Sequence, residues 1–166
     1  MLETAPAFTP PDAWTGEARF RAALAQRQPD RTPVWFMRQA GRCLADYRRL
    51  RETYPILTLA KTPELCAEVT VMPVEAFGVD AAVLFADIML PLEPMGVSLE
   101  IQPEIGPIIH APIRSRADVD RLRVIEPESE VGFVMDAIRL VRRELDGRTA
   151  VIGFSGSPFT LACYLI

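Results

Sequence analysis

Apolar positions along the chain follow two rhythms that alternate. Short, almost wholly apolar runs occur at Thr32-Pro33-Val34-Trp35-Phe36-Met37, at Ala81-Ala82-Val83-Leu84-Phe85-Ala86 and at Ala150-Val151-Ile152-Gly153-Phe154, each followed by polar or glycine residues. A run apolar on both faces fits a strand buried in a parallel sheet. Between these runs the apolar residues recur at helical spacing. Phe20, Ala23 and Leu24 predict a short helix that ends before Pro29-Asp30, and Leu44, Tyr47 and Leu50 predict another. Thr62 and Pro63 read as the N-cap and first position of a third helix with Leu65, Val69, Met72 and Ala76 on its apolar face, ending at Gly78. One or two helical turns are expected at 117–122, a helix at 131–145 closed by Asp146-Gly147, and a last helix after Pro158.

Residues 90–113 carry five prolines, and within them Val97 to Ile101 alternates like a strand that Gly106 to His110 is expected to join as a hairpin. Residues 1–15, with Pro6, Pro10 and Pro11, read as a flexible N-terminal arm, and 16–166 as a single domain. Strands alternating with helices imply a parallel α/β architecture. Such folds place their sites outside the carboxyl ends of the strands, which is where the polar segments fall. Three parallel strands leave two open edges, so the pattern reads as part of a larger sheet.

Composition removes several functions. The chain has 166 residues with 49% hydrophobic content, and no apolar run approaches the ~20 residues of a membrane span. The start Met1-Leu2-Glu3 lacks the layout of a secretory signal, so the expected location is the cytoplasm. Cys43, Cys66 and Cys163 lack CxxC spacing and read as reduced thiols, while a single histidine, His110, leaves a two-His metal site or a Ser-His-Asp triad short of members. No metal is expected. His110, in an apolar hairpin, and Trp14 and Trp35 are expected to be structural. Seventeen of the 18 basic residues are arginine, yet the net charge is −4 and they are scattered among acids, which argues against a nucleic-acid face.

Three segments carry candidate chemistry. Arg38-Gln39-Ala40-Gly41-Arg42 sets two guanidiniums around a small turn, where forks and backbone N–H groups suit a ligand with several carboxylates; a solvated surface turn is the alternative. Asp87 is a lone carboxylate after an apolar run, either a ligand for N–H groups or the cap of the next segment. Gly153 to Thr160, with Tyr164 one turn further on, forms a glycine-rich strand-to-helix turn. It has no GxGxxG, no Walker lysine and no GxSxG elbow, and Tyr164 packed in the core is the plain reading.

These residues resemble a family. Pro33 to Arg42 is similar to the N-terminal hallmark of uroporphyrinogen decarboxylase. Tyr47-Arg48, Leu84 to Ile88, Gly106-Pro107 and Gly153 to Leu161 support it in the family's order. The resemblance runs from about residue 16 to the end, and implies the N-terminal portion of a (β/α)8 TIM barrel. Cys43 stands where the family usually has an aromatic, and Ala45-Asp46 replaces a common Pro-Glu pair. The family's C-terminal serine and histidine, which help bind substrate carboxylates, have no counterpart here.

The resemblance further implies a cofactor-free carboxy-lyase of haem biosynthesis that converts the four acetates of uroporphyrinogen III to methyls, giving coproporphyrinogen III, and that is a homodimer at full length. Arg38, Gln39, Ala40, Gly41, Arg42 and Tyr164 would bind the tetrapyrrole carboxylates, and Asp87 would both bind and act in catalysis. Two alternatives stand beside it: a truncated, non-catalytic fragment, expected to aggregate or turn over very weakly, and a related cobalamin-dependent methyltransferase.

Overall fold

The computed structural model describes residues 13–37, 43–102 and 105–166. Most of the arm at 1–15 therefore lies outside the described residues. In chain order the elements are α1 (Gly16–Leu24), α2 (Ala45–Thr53), α3 (Ile56–Lys61), α4 (Pro63–Phe77), β1 (Ala81–Val83), β2 (Leu99–Gln102), β3 (Gly106–Ile109), α5 (Arg116–Asp120), α6 (Pro127–Glu130), α7 (Gly132–Leu145), β4 (Ala150–Ile152) and α8 (Pro158–Leu165).

The parallel α/β expectation holds at its centre, where β1 pairs with β4 in parallel register, Ala81 opposite Ala150 and Val83 opposite Ile152. Both strands are shorter than the apolar runs that predict them. After Leu84, whose N–H still donates to the Ile152 carbonyl at 2.9 Å, the backbone of Phe85 is taken by side chains of α4 and leaves the ladder.

The run at 32–37 forms no strand, and Val34 to Met37, Trp35 included, are exposed rather than buried. It meets the sheet at Val34, whose carbonyl accepts from the Asp80 N–H at 2.8 Å. The Val34 N–H goes to the Asp80 carboxylate instead of a backbone carbonyl, also at 2.8 Å, so pairing stops after a single residue.

α1 crosses the N-terminal end of the sheet. Thr15 caps it by accepting the Ala18 N–H at 3.1 Å, and its buried residues are Gly16 and Ala22. The predicted Leu24 is exposed instead. A Cβ on Gly16 would stand 2.8 Å from both Cα and O of Asp80, so only glycine lets the helix start this close to the strand.

α4 and α7 cover the sheet's outer face. Val134, Ala137, Ile138, Val141 and Leu145 form the stripe of α7 that meets Ala67, Val71 and Val74 of α4. Fully buried valine and leucine side chains such as Val141 and Leu145 each contribute about 1.5–3 kcal/mol. The helix ends as expected, with Asp146 at φ 42° and Gly147 at φ 71°.

α4 departs from the single apolar face expected of it. It buries Cys66, Ala67, Val69, Thr70, Val71, Pro73 and Val74, because α7 and β1 pack on one side while Tyr47 of α2 and Leu59 of α3 pack on the other; Ala76 is exposed. α3 itself was hidden in the sequence because 56–60 is nearly continuous in apolar character and shows no helical period.

The predicted hairpin is present as β2 and β3, antiparallel with Leu99 opposite Ile109. It packs with Met89, Leu92, Val97 and Leu165 in a second core beneath α8.

Candidate active site

The carboxyl ends of β1 and β4 open into two neighbouring turns. On the β1 side, Thr70 Oγ1 accepts the Phe85 N–H at 2.9 Å and Cys66 Sγ donates to the Phe85 carbonyl at 2.9 Å. The Phe85 ring meets Tyr47 edge-on with centroids 5.9 Å apart. Two residues later the half-buried Asp87 starts a turn: its Oδ1 accepts the Met89 N–H at 2.8 Å, and its carbonyl accepts the Leu90 N–H at 3.3 Å. Met89, Leu90 and Leu92 are buried and anchor that turn in the second core. Asp87 is thus the turn-forming residue of the plainer expectation, and it spends one oxygen on that task. Its Oδ2 accepts no hydrogen bond among the described residues.

On the β4 side, Ser157 caps α8 by accepting the Thr160 N–H at 3.4 Å, with Pro158 in the first helical turn. A Cβ on Gly156 would lie 2.9 Å from Leu161 Cδ2 and 3.3 Å from Ile88 Cβ. Absence of a side chain there lets the turn after β4 rest directly on the residue after Asp87. Tyr164 lies in α8 and is 45% exposed, so it does not pack in the core. Phe154, just after β4, and Phe159, in the first turn of α8, are also exposed.

The two turns are therefore brought together, and Asp87 and Tyr164 belong to the elements that form them. The third segment, Arg38-Gln39-Ala40-Gly41-Arg42, lies outside the described residues. His110 is exposed on the hairpin with Nε2 3.8 Å from Glu100 Oε1. Among the described residues no group of three or more His, Cys, Asp or Glu is placed to hold a metal ion.

A second carboxylate escaped the sequence reading. Asp80 is 2% exposed at the N-terminal end of β1, where Arg31 grips it with two nitrogens at 2.6 and 2.8 Å and Arg19 reaches it at 3.3 Å. Burial pushes its carboxyl up, but hydrogen bonds from Arg31, the Val34 N–H and Arg19 outweigh that and hold it below the ordinary carboxylate range. It sits at the end of the sheet opposite Asp87, where a parallel α/β fold keeps its stabilising residues. Its signal was a charged residue directly before an apolar run.

A concavity of about 1000 Å³ lies elsewhere again, between α2, α4 and α7. Glu64, Glu68 and Arg143 stand around it, and it shares no residue with the two turns.

The family model described as uroporphyrinogen decarboxylase (URO-D) matches residues 15–166. The chain belongs to the uroporphyrinogen decarboxylase family. It is 57% identical over 148 residues to uroporphyrinogen decarboxylase of Sorangium cellulosum, covering 89% of this chain and 42% of that protein. It is 58% identical over 147 residues to the enzyme of Syntrophotalea carbinolica, again covering 89% and 42%. The chain thus spans less than half the length of these curated relatives. Among solved structures, a methyltransferase from Methanosarcina mazei superimposes with a TM-score of 0.73 at 21% identity, over 93% of this chain and 46% of that one. That likeness is one of fold. This member of the uroporphyrinogen decarboxylase family carries the N-terminal portion of a (β/α)8 barrel, and its two turns lie on the face where barrels hold their chemistry.

Proposed function

We propose that this chain supplies the N-terminal half of a uroporphyrinogen decarboxylase site, acting on a tetrapyrrole with several carboxylates. The observation that carries the reading is Asp87, half-buried after the carboxyl end of β1, with Oδ1 held by the Met89 N–H and Oδ2 accepting no hydrogen bond among the described residues. Breaking the bond from an acetate methylene to its carboxylate releases CO2 and leaves an electron pair. A pyrrole protonated at a ring carbon accepts that pair and becomes an exocyclic methylene; the methylene then gains a proton to become methyl while the ring carbon releases the proton it had taken, so one proton is consumed for each CO2 released. The Asp87 carboxylate accepts hydrogen bonds from the central pyrrole N–H groups and stabilises the cation that develops on the ring. Arg38 and Arg42 hold acetate and propionate groups through two-pronged bonds, with Gln39, Ala40 and Gly41 lining the approach. Tyr164 donates to a carboxylate near the reacting ring. No cofactor is invoked, because the substrate is its own electron sink.

The proposal includes residues 16–166 as part of a single barrel domain, a cytoplasmic location and a homodimer for the full-length enzyme. The test is anaerobic incubation with uroporphyrinogen III, with products separated by carboxylate number, alongside equilibrium dialysis of coproporphyrinogen III. Stepwise loss of carboxylates or saturable binding, either of them abolished in Asp87→Ala, is expected. Turnover or binding that is unchanged in Asp87→Ala overturns the assignment.

A further inference from the structure

We propose that Thr70 is a positioning residue for Asp87, acting through the backbone of Phe85; this rests on the reading of Asp87 given above. Thr70 lies mid-helix in α4 and is 1% exposed. A hydroxyl there is not favoured by helix propensity, and once buried it requires partners. Both are present. Its Oγ1 donates to the Cys66 carbonyl one turn earlier at 2.7 Å, which fixes the hydroxyl proton and turns a lone pair outward. That lone pair accepts the Phe85 N–H at 2.9 Å, while Cys66 Sγ donates to the Phe85 carbonyl.

Both polar groups of one peptide residue are therefore held by α4 at the point where the chain leaves the sheet. Only Ala86 separates that residue from Asp87. The Phe85 ring is held as well, against Tyr47 of α2, the helix that follows the arginine segment. Phe85 is thus held at its N–H, its carbonyl and its ring, two residues before Asp87. Displacing a binding group by about 1 Å is enough to cost a large factor in productive geometry, and Thr70 and Cys66 limit that displacement for Asp87.

The experiment compares Thr70→Val, which has the same shape but no hydroxyl, with Thr70→Ser, which keeps it. Coproporphyrinogen III affinity is measured by anaerobic equilibrium dialysis, and amide exchange is followed at Met89, whose N–H reports the Asp87 turn. Thr70→Val is expected to weaken binding about tenfold, roughly 1.4 kcal/mol, and to speed Met89 exchange. Thr70→Ser is expected to restore both to within about twofold, a rescue that tracks the hydroxyl rather than packing. Should Thr70→Val not fold, Cys66→Ala removes the other hold on Phe85 and is expected to speed Met89 exchange and weaken binding in the same direction. Wild-type exchange and affinity in the variants, while Asp87→Ala abolishes binding, overturn the positioning role alone. Unchanged binding in Asp87→Ala overturns the functional reading, and the exchange comparison still decides whether Thr70 fixes the turn.

Discussion

Arg31 closes a two-pronged bond on Asp80, its Nη1 2.6 Å from Oδ2 and its Nη2 2.8 Å from Oδ1. Because the same carboxylate also takes the Val34 N–H, it replaces a missing backbone acceptor as well as pairing two arginines. Asp80→Asn is expected to destabilise the fold by about 2 kcal/mol, in line with hydrogen bonds to charged groups, measured by urea unfolding at neutral pH. The pH dependence follows from the lowered pKa of Asp80. The unfolded chain takes up the proton near pH 3.9 while the folded one resists it, so stability is full above about pH 4 and is lost as pH falls through the folded value. Asp80→Asn should lose less stability than the parent between neutrality and acid. The slope should not vanish, since Asp118 is held at about 2 by the Arg114 N–H and the Ser115 hydroxyl and N–H.

Gly16→Ala places a methyl 2.8 Å from the backbone of Asp80 and 3.0 Å from the Arg148 carbonyl. Backbone on both sides cannot rotate away as a side chain can. A loss of about 1–3 kcal/mol, the range for overpacking, is expected and would register as a fall in Tm of several degrees. An unchanged Tm would show that α1 does not seat against β1 this closely.

Gly156→Ala acts at the other end, against side chains rather than backbone. The new methyl meets the side chains of Leu161 and Ile88, so those side chains must repack or the turn after β4 must shift relative to the Asp87 turn. Tetrapyrrole binding is expected to weaken by about tenfold, equal to 1.4 kcal/mol, with a smaller fall in Tm than in Gly16→Ala. Equal damage to both properties in the two glycine variants would contradict this division.

The three thiols should separate by reactivity. Burial, only partly offset by its hydrogen bond with Thr70, pushes the Cys66 thiol up to about 11, while Cys43 and Cys163 are exposed. Iodoacetamide at pH 8 is expected to modify Cys43 and Cys163 in the native protein and Cys66 only after denaturation, as read by peptide mass spectrometry. Unfolded thiols lose their protons near pH 8.5, whereas Cys66 keeps its proton until about 11 in the fold. Stability should therefore decline as pH rises across that window, and Cys66→Ala should decline less.

What could be read from the sequence depended on whether one interaction or several fixed an element. The stripe of α7 and its left-handed close at Asp146 were legible, since one packing face and one turn determine them. The hairpin of β2 and β3 was legible for the same reason. The run at 32–37 misled, because apolar composition does not show that Asp80 will intercept the Val34 N–H and end the pairing. Asp87 was visible as a lone acid after an apolar run, but the hold on Phe85 was not. Thr70 and Cys66 show their function only when α4 lies against β1, and a threonine and cysteine one helical turn apart carry no mark of it in the chain. Asp80 was not legible because it begins the run that Asp87 follows, and parallel α/β folds gather their chemistry at the opposite ends of the strands.

The seating of Gly16 on Asp80 and of Gly156 on Ile88 gives the two ends of one short sheet different evolutionary freedom. At Gly16 an added Cβ meets main chain on both sides, so inherited change at that position is purged as misfolding whatever the catalyst does. At the Gly156 end added atoms meet side chains that can repack, so variation is filtered by ligand fit. A mutational library confined to 153–164 should therefore yield many folded proteins with altered recognition, whereas one confined to Gly16, Ala22 and Asp80 should yield few folded proteins at all.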